Sequence, residues 1–316
     1  MTTTYAVLSE GLEKRFGTVR ALRGLDLAVA EGTVCGMLGP NGAGKTTALR
    51  VLTTLTTADA GSATVAGHDL RRDPGGVRGA IGVAGQYASV DGELTGRENL
   101  RLFAGLLGIR GAAGRARAGE LLARFGLTEV ADRPARTYSG GMRRRLDLAS
   151  SLVSRPAVLF LDEPTTGLDP QSRGRIQDAV RELAGSGTTV LLTTQYLEEA
   201  DQLADDIVLV DRGRVTVTGT PAELKARIGS YAEVMVAHES AMAAAAGVLD
   251  QLTGAEPRLD HERHTVGVTV VDPSLTLPRI VRELDAAGVP VLDASLRPPT
   301  LDEVFIRLTD RTEAMA

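Results

Sequence analysis

Gly39-Pro40-Asn41-Gly42-Ala43-Gly44-Lys45-Thr46-Thr47 lies between the apolar run Val34-Cys35-Gly36-Met37-Leu38 and the segment Ala48-Leu49-Arg50-Val51-Leu52. The order is strand, glycine loop, helix, with GxxxxGK[ST] spacing. Glycines let the backbone curl into a cup of inward-pointing N–H groups, and the helix that follows adds its positive end. Lys45 brings a mobile positive charge for the outer phosphates, and Thr46 a hydroxyl for a magnesium ion. A bare flexible loop is the alternative in a chain with 36 glycines, but strand and helix signals flank the motif correctly. The stretch reads as a nucleoside triphosphate site in an α/β fold.

Upstream, Tyr5 to Leu8 predicts a short strand, and Leu22, Leu25, Leu27 and Val29 alternate as a second. Between them Phe16 sits in a basic hairpin, Lys14-Arg15-Phe16-Gly17, where an aromatic ring stacks on a base or packs into the core; the pattern does not separate the two. Downstream, Gly61 to Gly67 and Ile81 to Ala84 predict further strands, with Gln86 just beyond the second. Its amide is suited to bridging a metal or water at the γ phosphate.

From Leu94 to Leu152 the texture is helical. Leu102, Phe103, Leu106 and Leu107 recur at helical spacing, and Ala113 to Phe125 predicts a helix with its arginines outside and Leu121, Leu122 and Phe125 inside. The apolar and Arg residues of this insertion are candidates for a partner surface. Ser139-Gly140-Gly141 is a second loop-to-helix junction, with a capping hydroxyl and two small residues that leave N–H groups accessible. Arg143, Arg144 and Arg145 follow on successive helix faces, as a solvated face or as nucleotide-side salt bridges.

Val158-Leu159-Phe160-Leu161 is an unmixed apolar run, as expected of a central parallel strand, and it ends in Asp162-Glu163. Open α/β sheets place ligands at such strand ends. Asp162 is suited to the magnesium ion, Glu163 to orienting or deprotonating a water. Asp169 reads as the cap of the next helix, and Gln195, at the end of the strand Thr188 to Thr193, as a contact to the γ phosphate.

Composition limits the rest. The chain has 316 residues, enough for one substantial core and a smaller domain, with a net charge of -5 and a pI near 5.5. That balance gives no broad pull toward nucleic acid or anionic lipid. Four His and a single Cys, Cys35, exclude a cysteine-rich metal site and an internal disulfide. The first ten residues lack the pattern of a signal peptide, and no run of about 20 apolar residues occurs. The expected location is the cytosol, unless a partner holds the chain at a membrane.

Together these motifs resemble the ATP-binding subunits of ABC transporters over roughly residues 5 to 225. In that resemblance Gly39 to Thr47 is the Walker A loop, Gln86 the Q-loop, and Ser139-Gly140-Gly141 the signature. Val158 to Glu163 is the Walker B strand with its catalytic glutamate, and Gly167-Leu168-Asp169 is the D-loop. Phe16 falls at the adenine-stacking aromatic, and Gln195 at the switch position, where most members have His. Tyr138 and Met142 depart from the commonest signature. Gln195 hydrogen-bonds without becoming a cation near neutral pH, so Glu163 is expected to act as base and Gln195 as sensor; a weakened ATPase is the alternative. The wording around Gln195 resembles the daunorubicin/doxorubicin resistance subfamily.

The resemblance implies a P-loop NTPase with a RecA-like core, an antiparallel β subdomain and a helical signature subdomain at about residues 90–155. ATP and Mg2+ are the implied ligands. Residues 1–225 are the expected ATP-binding domain and 226–316 a small α+β accessory domain, with a βαββαβ order that fits a ferredoxin-like fold. Thr300 to Leu308 reads as a closing amphipathic helix, either assembling or regulating a complex or simply capping the tail. The implied active unit is a homodimer that sandwiches ATP, serving a separate ABC-2-type membrane permease at the cytoplasmic face of the membrane. Export of a hydrophobic drug, antibiotic or secondary metabolite is expected. Export of a lipid or polysaccharide, or a non-transport regulatory ATPase, is the alternative.

Overall fold

The computed structural model describes residues 4–85, 89–272 and 274–305, which divide into two compact units, 4–218 and 219–305. The expected Q-loop residue Gln86 lies outside the described residues, as does the end of the closing helix at 306–308.

In the first unit β1 (Tyr5–Phe16) and β2 (Val19–Ala30) form a long antiparallel hairpin. β1 runs eight residues beyond the expected Tyr5–Leu8. Its register shifts between Ser9 and Leu12, around Gly11 at φ 59°. A bulge of this kind changes the inward phase, so the alternation stops while the strand continues. β3 (Val34–Leu38), α1 (Lys45–Leu52), β4 (Ala60–Val65), β5 (His68–Asp69), α2 (Pro74–Ala80) and β6 (Ile81–Ala84) follow. Then come α3 (Gly96–Leu106), α4 (Gly111–Arg124), α5 (Gly140–Ser151), β7 (Val158–Asp162), α6 (Pro170–Gly185), β8 (Thr189–Thr194), α7 (Leu197–Leu203), β9 (Asp206–Asp211) and β10 (Arg214–Gly219).

Two sheets result, one in the order β2-β1-β4-β5 and a central one in the order β10-β9-β3-β8-β7-β6. From β9 to β6 every adjoining pair in the central sheet is parallel. β3, β7 and β8 are buried along their whole length, which explains the apolar runs of β3 and β7. Leu38 pairs with Thr194 and Asp162 with Thr193, so three strands deliver their C-terminal ends to one edge.

The helical segment shares a core with this sheet: Leu100, Leu121, Leu122, Phe125 and Leu146 pack in one cluster with Leu159 and Leu161. Thr95 and Glu98 form a capping box that starts α3. Leu102, Leu106 and Leu107 stay exposed. The expectation that α4 carries its arginines outside needs correction at Arg117, which is buried and donates to the carbonyls of Leu152 and Val153. Those carbonyls follow the end of α5, where that of Leu152 also accepts from Arg155 N at 3.0 Å, and a guanidinium with an aliphatic stem supplies further donors.

The second unit contains α8 (Pro221–Ala226), β11 (Ser230–Val236), α9 (Met242–Thr253), β12 (Arg258–Asp260), β13 (Thr265–Val270), α10 (Leu277–Ala286) and β14 (Val291–Arg297). Its antiparallel sheet runs β12-β13-β11-β14, the ferredoxin-like order. Met242, Leu249, Ile280 and Leu284 share its core with Val234, Val266 and Val268. β12 begins only at Arg258, after Pro257, which has no N–H for the ladder. The expected boundary at 225/226 moves to 218/219. Gly219, at φ 155°, ends the hairpin, and the Thr220–Glu223 capping box starts a new helix in the second unit.

Candidate functional site

The loop after β3 is shaped by its glycines. Gly39 has φ 154°, and a Cβ there would stand 2.1 Å from the Val210 carbonyl oxygen. Gly44 has φ 109°, and its Cβ would stand 2.6 Å from the Ala21 oxygen. Any other residue would collide with the neighbouring backbone or be strained. Lys45 is 6% exposed, and its Nζ donates to the carbonyls of Gly39 at 2.6 Å and Pro40 at 3.1 Å. Burial pulls this ammonium below its ordinary value, while the charges of Glu163 and then Asp162 pull it up. An ammonium has three donors, so one remains for a phosphate.

Across from the loop, Asp162 is buried at the end of β7. Its Oδ1 accepts from Thr193 Oγ1 at 2.5 Å and from Thr46 Oγ1 at 3.3 Å. A carboxylate and a hydroxyl side by side form the hard oxygen set that magnesium prefers, with the remaining positions left for phosphate and water. Glu163 stands next to it with φ 48°, a conformation that costs a side chain about 1–3 kcal/mol. Its N–H donates to Thr193 O at 3.1 Å, and its Oε2 accepts from Thr166 Oγ1 at 3.2 Å.

A cavity of about 470 Å³ is lined by Asn41, Gly42, Gly44, Lys45, Thr46, Thr47 and Glu163, with Asp162 bonded to its lining residue Thr46. Arg20, Arg23 and Arg212 also line it. The sequence reading missed these three arginines and Thr193. Two arginines come from β2 and one from the β9–β10 turn, and only the fold unites them with the loop.

Other expected site residues stand apart from this cavity. Phe16, the last residue of β1, is 49% exposed, with Lys14 Nζ 5.4 Å from its ring centroid. Ser139 caps α5 by accepting from Met142 N at 3.2 Å. A Cβ on Gly141 would stand 2.2 Å from Ser172 Oγ, which donates to Asp169 Oδ2 at 2.7 Å. Asp169 caps α6 as expected, and its hydrogen bonds from Ser172 hold its carboxyl below the usual range. Gln195 is exposed just past β8. The signature junction and the Asp169 loop thus adjoin each other, while neither lines the phosphate cavity of the same chain.

The run of three arginines needs correction. Arg145 is buried and donates to the Phe125 and Gly126 carbonyls; Arg144 is largely buried as well. Neither is a solvated face. Cys35 is buried inside β3, and that burial pushes its thiol up to about 12, with a further push from Asp206.

A family model described as "ABC transporter" matches residues 22–166, and one described as "ATP-binding protein DrrA1-3-like, C-terminal domain" matches residues 219–309. The daunorubicin resistance ATP-binding protein DrrA2 of Streptomyces coeruleorubidus is 54% identical over 98% of this chain and 97% of its own. The Nod factor export ATP-binding protein I of Ralstonia nicotianae is 39% identical over 96% and 93%. Among solved structures, an ATP-binding subunit of an ABC transporter aligns with a TM-score of 0.64 at 26% identity, over 71% of this chain and 93% of that one. A dimeric ATP-binding cassette in a post-hydrolysis state, bound to ADP and Pi, aligns with a TM-score of 0.62 at 25% identity, over 68% and 98%.

Proposed function

The chain belongs to the ATP-binding subunits of ABC transporters, and on that premise we propose that it hydrolyses ATP to power export of a hydrophobic drug or related secondary metabolite through a separate permease. The observation that carries the reading is the meeting of Lys45, Thr46 and Glu163 around one cavity, with Asp162 bonded to Thr46 behind it and Ser139-Gly140-Gly141 elsewhere on the same unit. A site so divided is completed by a second copy: the loop of one chain faces the signature of the other. The dimeric, ADP-bound cassette with the same fold supports this arrangement.

In this scheme the backbone N–H groups of Gly42 to Thr47 and Lys45 Nζ bind the phosphate oxygens of ATP. Thr46 and Asp162 hold Mg2+, together with Gln86 on the reading of its motif. When bound, the ion neutralises charge on the phosphates. Glu163 accepts the proton of the attacking water, and Gln195 orients that water by neutral hydrogen bonds. Ser139, Gly140, Gly141 and Asp169 contact the nucleotide of the partner copy, and Phe16 stacks on the adenine. Loss of the γ phosphate, gripped from both sides, loosens the dimer, and the permease converts the two states into alternating access.

No helix among the described residues is long and apolar enough to cross a membrane. An ABC-2-type permease on a separate polypeptide would hold the chain at the cytoplasmic face. The relatives named for daunorubicin resistance support a drug cargo. Those named for Nod factor export support a second reading, in which the cargo is a Nod factor-like molecule. Co-expression with the neighbouring permease and measurement of ATP-dependent efflux of daunorubicin tests the first reading. Efflux should fall to background with Glu163→Gln, which should also accumulate an ATP-bound dimer and lose about 10²–10⁴-fold in turnover. Efflux unchanged by that substitution would overturn it.

A further inference from the structure

Arg144, the middle residue of the arginine run on α5, has a role that the sequence reading did not assign. Its side chain leaves the helix toward the end of β7 and meets the segment carrying the two site carboxylates. Nε donates to the Pro164 carbonyl at 2.9 Å, and Nη2 to the carbonyls of Asp162 at 3.3 Å and Glu163 at 3.4 Å. Nη1 donates to the Gly85 carbonyl and to Asp147 Oδ2 at 3.2 Å. Asp147, whose side chain is 1% exposed, also accepts from the Ser89 N–H at 2.7 Å.

The pattern is specific to a guanidinium. Five N–H donors in a planar fork reach three consecutive carbonyls on one side and a fourth carbonyl with a carboxylate on the other. A lysine presents a point charge, and a glutamine is shorter, with two donors. The middle carbonyl belongs to Glu163, the residue whose backbone sits in the left-handed region. Such a conformation persists only where its surroundings over-determine it. The Glu163 N–H is held from β8 by Thr193, and its carbonyl accepts from Arg144 on α5 and, within its own turn, from Thr166 N at 3.4 Å. Removing Arg144 leaves the Glu163 carbonyl with only the local turn bond from Thr166 N, and takes from the carbonyls of Asp162 and Pro164 a donor they now use.

We propose that Arg144 is a positioning residue for the reaction: it holds the Glu163 backbone in its left-handed conformation and so aims the carboxylate at the phosphate site. Because Arg144 stands five residues after Ser139 on the same helix, it ties the signature helix to the carboxylate of its own chain. The proposal rests on the reading of Glu163 as the base.

The test is MgATP turnover of the full chain, reconstituted with its permease, for Arg144→Gln, Glu163→Gln and the double variant. Arg144→Gln should lower kcat about fivefold or more with KM within about twofold, because the carboxylate is misaimed while the phosphate loop is untouched. The double variant should still accumulate the ATP-bound dimer to the extent that Glu163→Gln does, since nucleotide gripping does not need the aimed carboxylate. Should Arg144→Gln fail to fold, Arg144→Lys carries the same comparison, and it should not rescue kcat. A kcat within about fivefold of the unmodified chain, a raised KM, or loss of the trapped dimer would overturn the proposal. Glu163→Gln retaining turnover would overturn the reading of the base, and this inference with it. A dead Glu163→Gln beside an active Arg144→Gln would overturn this inference alone.

Discussion

Two loop-to-helix junctions of the first unit look alike in sequence and differ in the fold. At Gly44 the helix begins on a glycine that offers no capping side chain, so the first N–H groups are left for a ligand. At Ser139 the hydroxyl already accepts from Met142 N. Around the first junction stand an ammonium, a hydroxyl, two carboxylates and three arginines. Around the second, Ser172, which is bonded to Asp169, occupies the space a side chain on Gly141 would need. One junction is furnished for chemistry and the other is built as a contact. Only the first junction gathers phosphate- and metal-binding groups within its own chain, and on the reading proposed above the two are unlike halves of one shared site.

Substitutions at the two junctions should therefore separate. The largest effect belongs to Lys45→Ala, which removes the charge facing the outer phosphates. Turnover should fall about 10²–10³-fold, and binding of a fluorescent ATP analogue to the isolated chain should weaken with it. Gly141→Ala comes next. Its Cβ forces Ser172 Oγ away from Asp169, so turnover should fall about tenfold while analogue binding by the single chain stays the same. Ser139→Ala is the smallest, with loss of a helix cap at about 1 kcal/mol in denaturant unfolding and unchanged analogue affinity. If Gly141→Ala or Ser139→Ala weakened analogue binding as Lys45→Ala does, the two junctions would serve one site within one chain, and the contrast would break.

The furnished junction was legible because its parts are local. Nine consecutive residues carry the loop, and Asp162 and Glu163 end a strand whose unmixed apolar character marks it as central. The groups that complete the site were not legible. Thr193 and Arg144 act on the carboxylate strand from 31 and 18 residues away in the chain, through hydrogen bonds that no spacing announces. Arg20 and Arg23 look like ordinary exposed strand residues until the hairpin folds beside the loop. Burial of Arg117, Arg144 and Arg145 was misread for one shared reason. Periodicity treats an arginine as a surface residue, whereas these three use their donors on backbone carbonyls at the ends of helices and strands. In the fold itself, the bulge at Gly11 hid most of β1, and the order of the second unit was readable because each of its elements is short and separately bounded.

Mixing two inactive copies tests the shared site most directly. Lys45→Ala spoils the phosphate loop and keeps the signature; Ser139→Arg does the reverse. Each variant alone, reconstituted with the permease, should be inactive, because every site in its dimer contains one spoiled half. In an equimolar mixture half of the dimers pair the two variants, and each of these holds one site with both halves intact. Turnover should return to roughly a quarter of that of the unmodified chain. A mixture as inactive as its components would contradict the account, since it would mean that each chain needs both junctions for its own nucleotide.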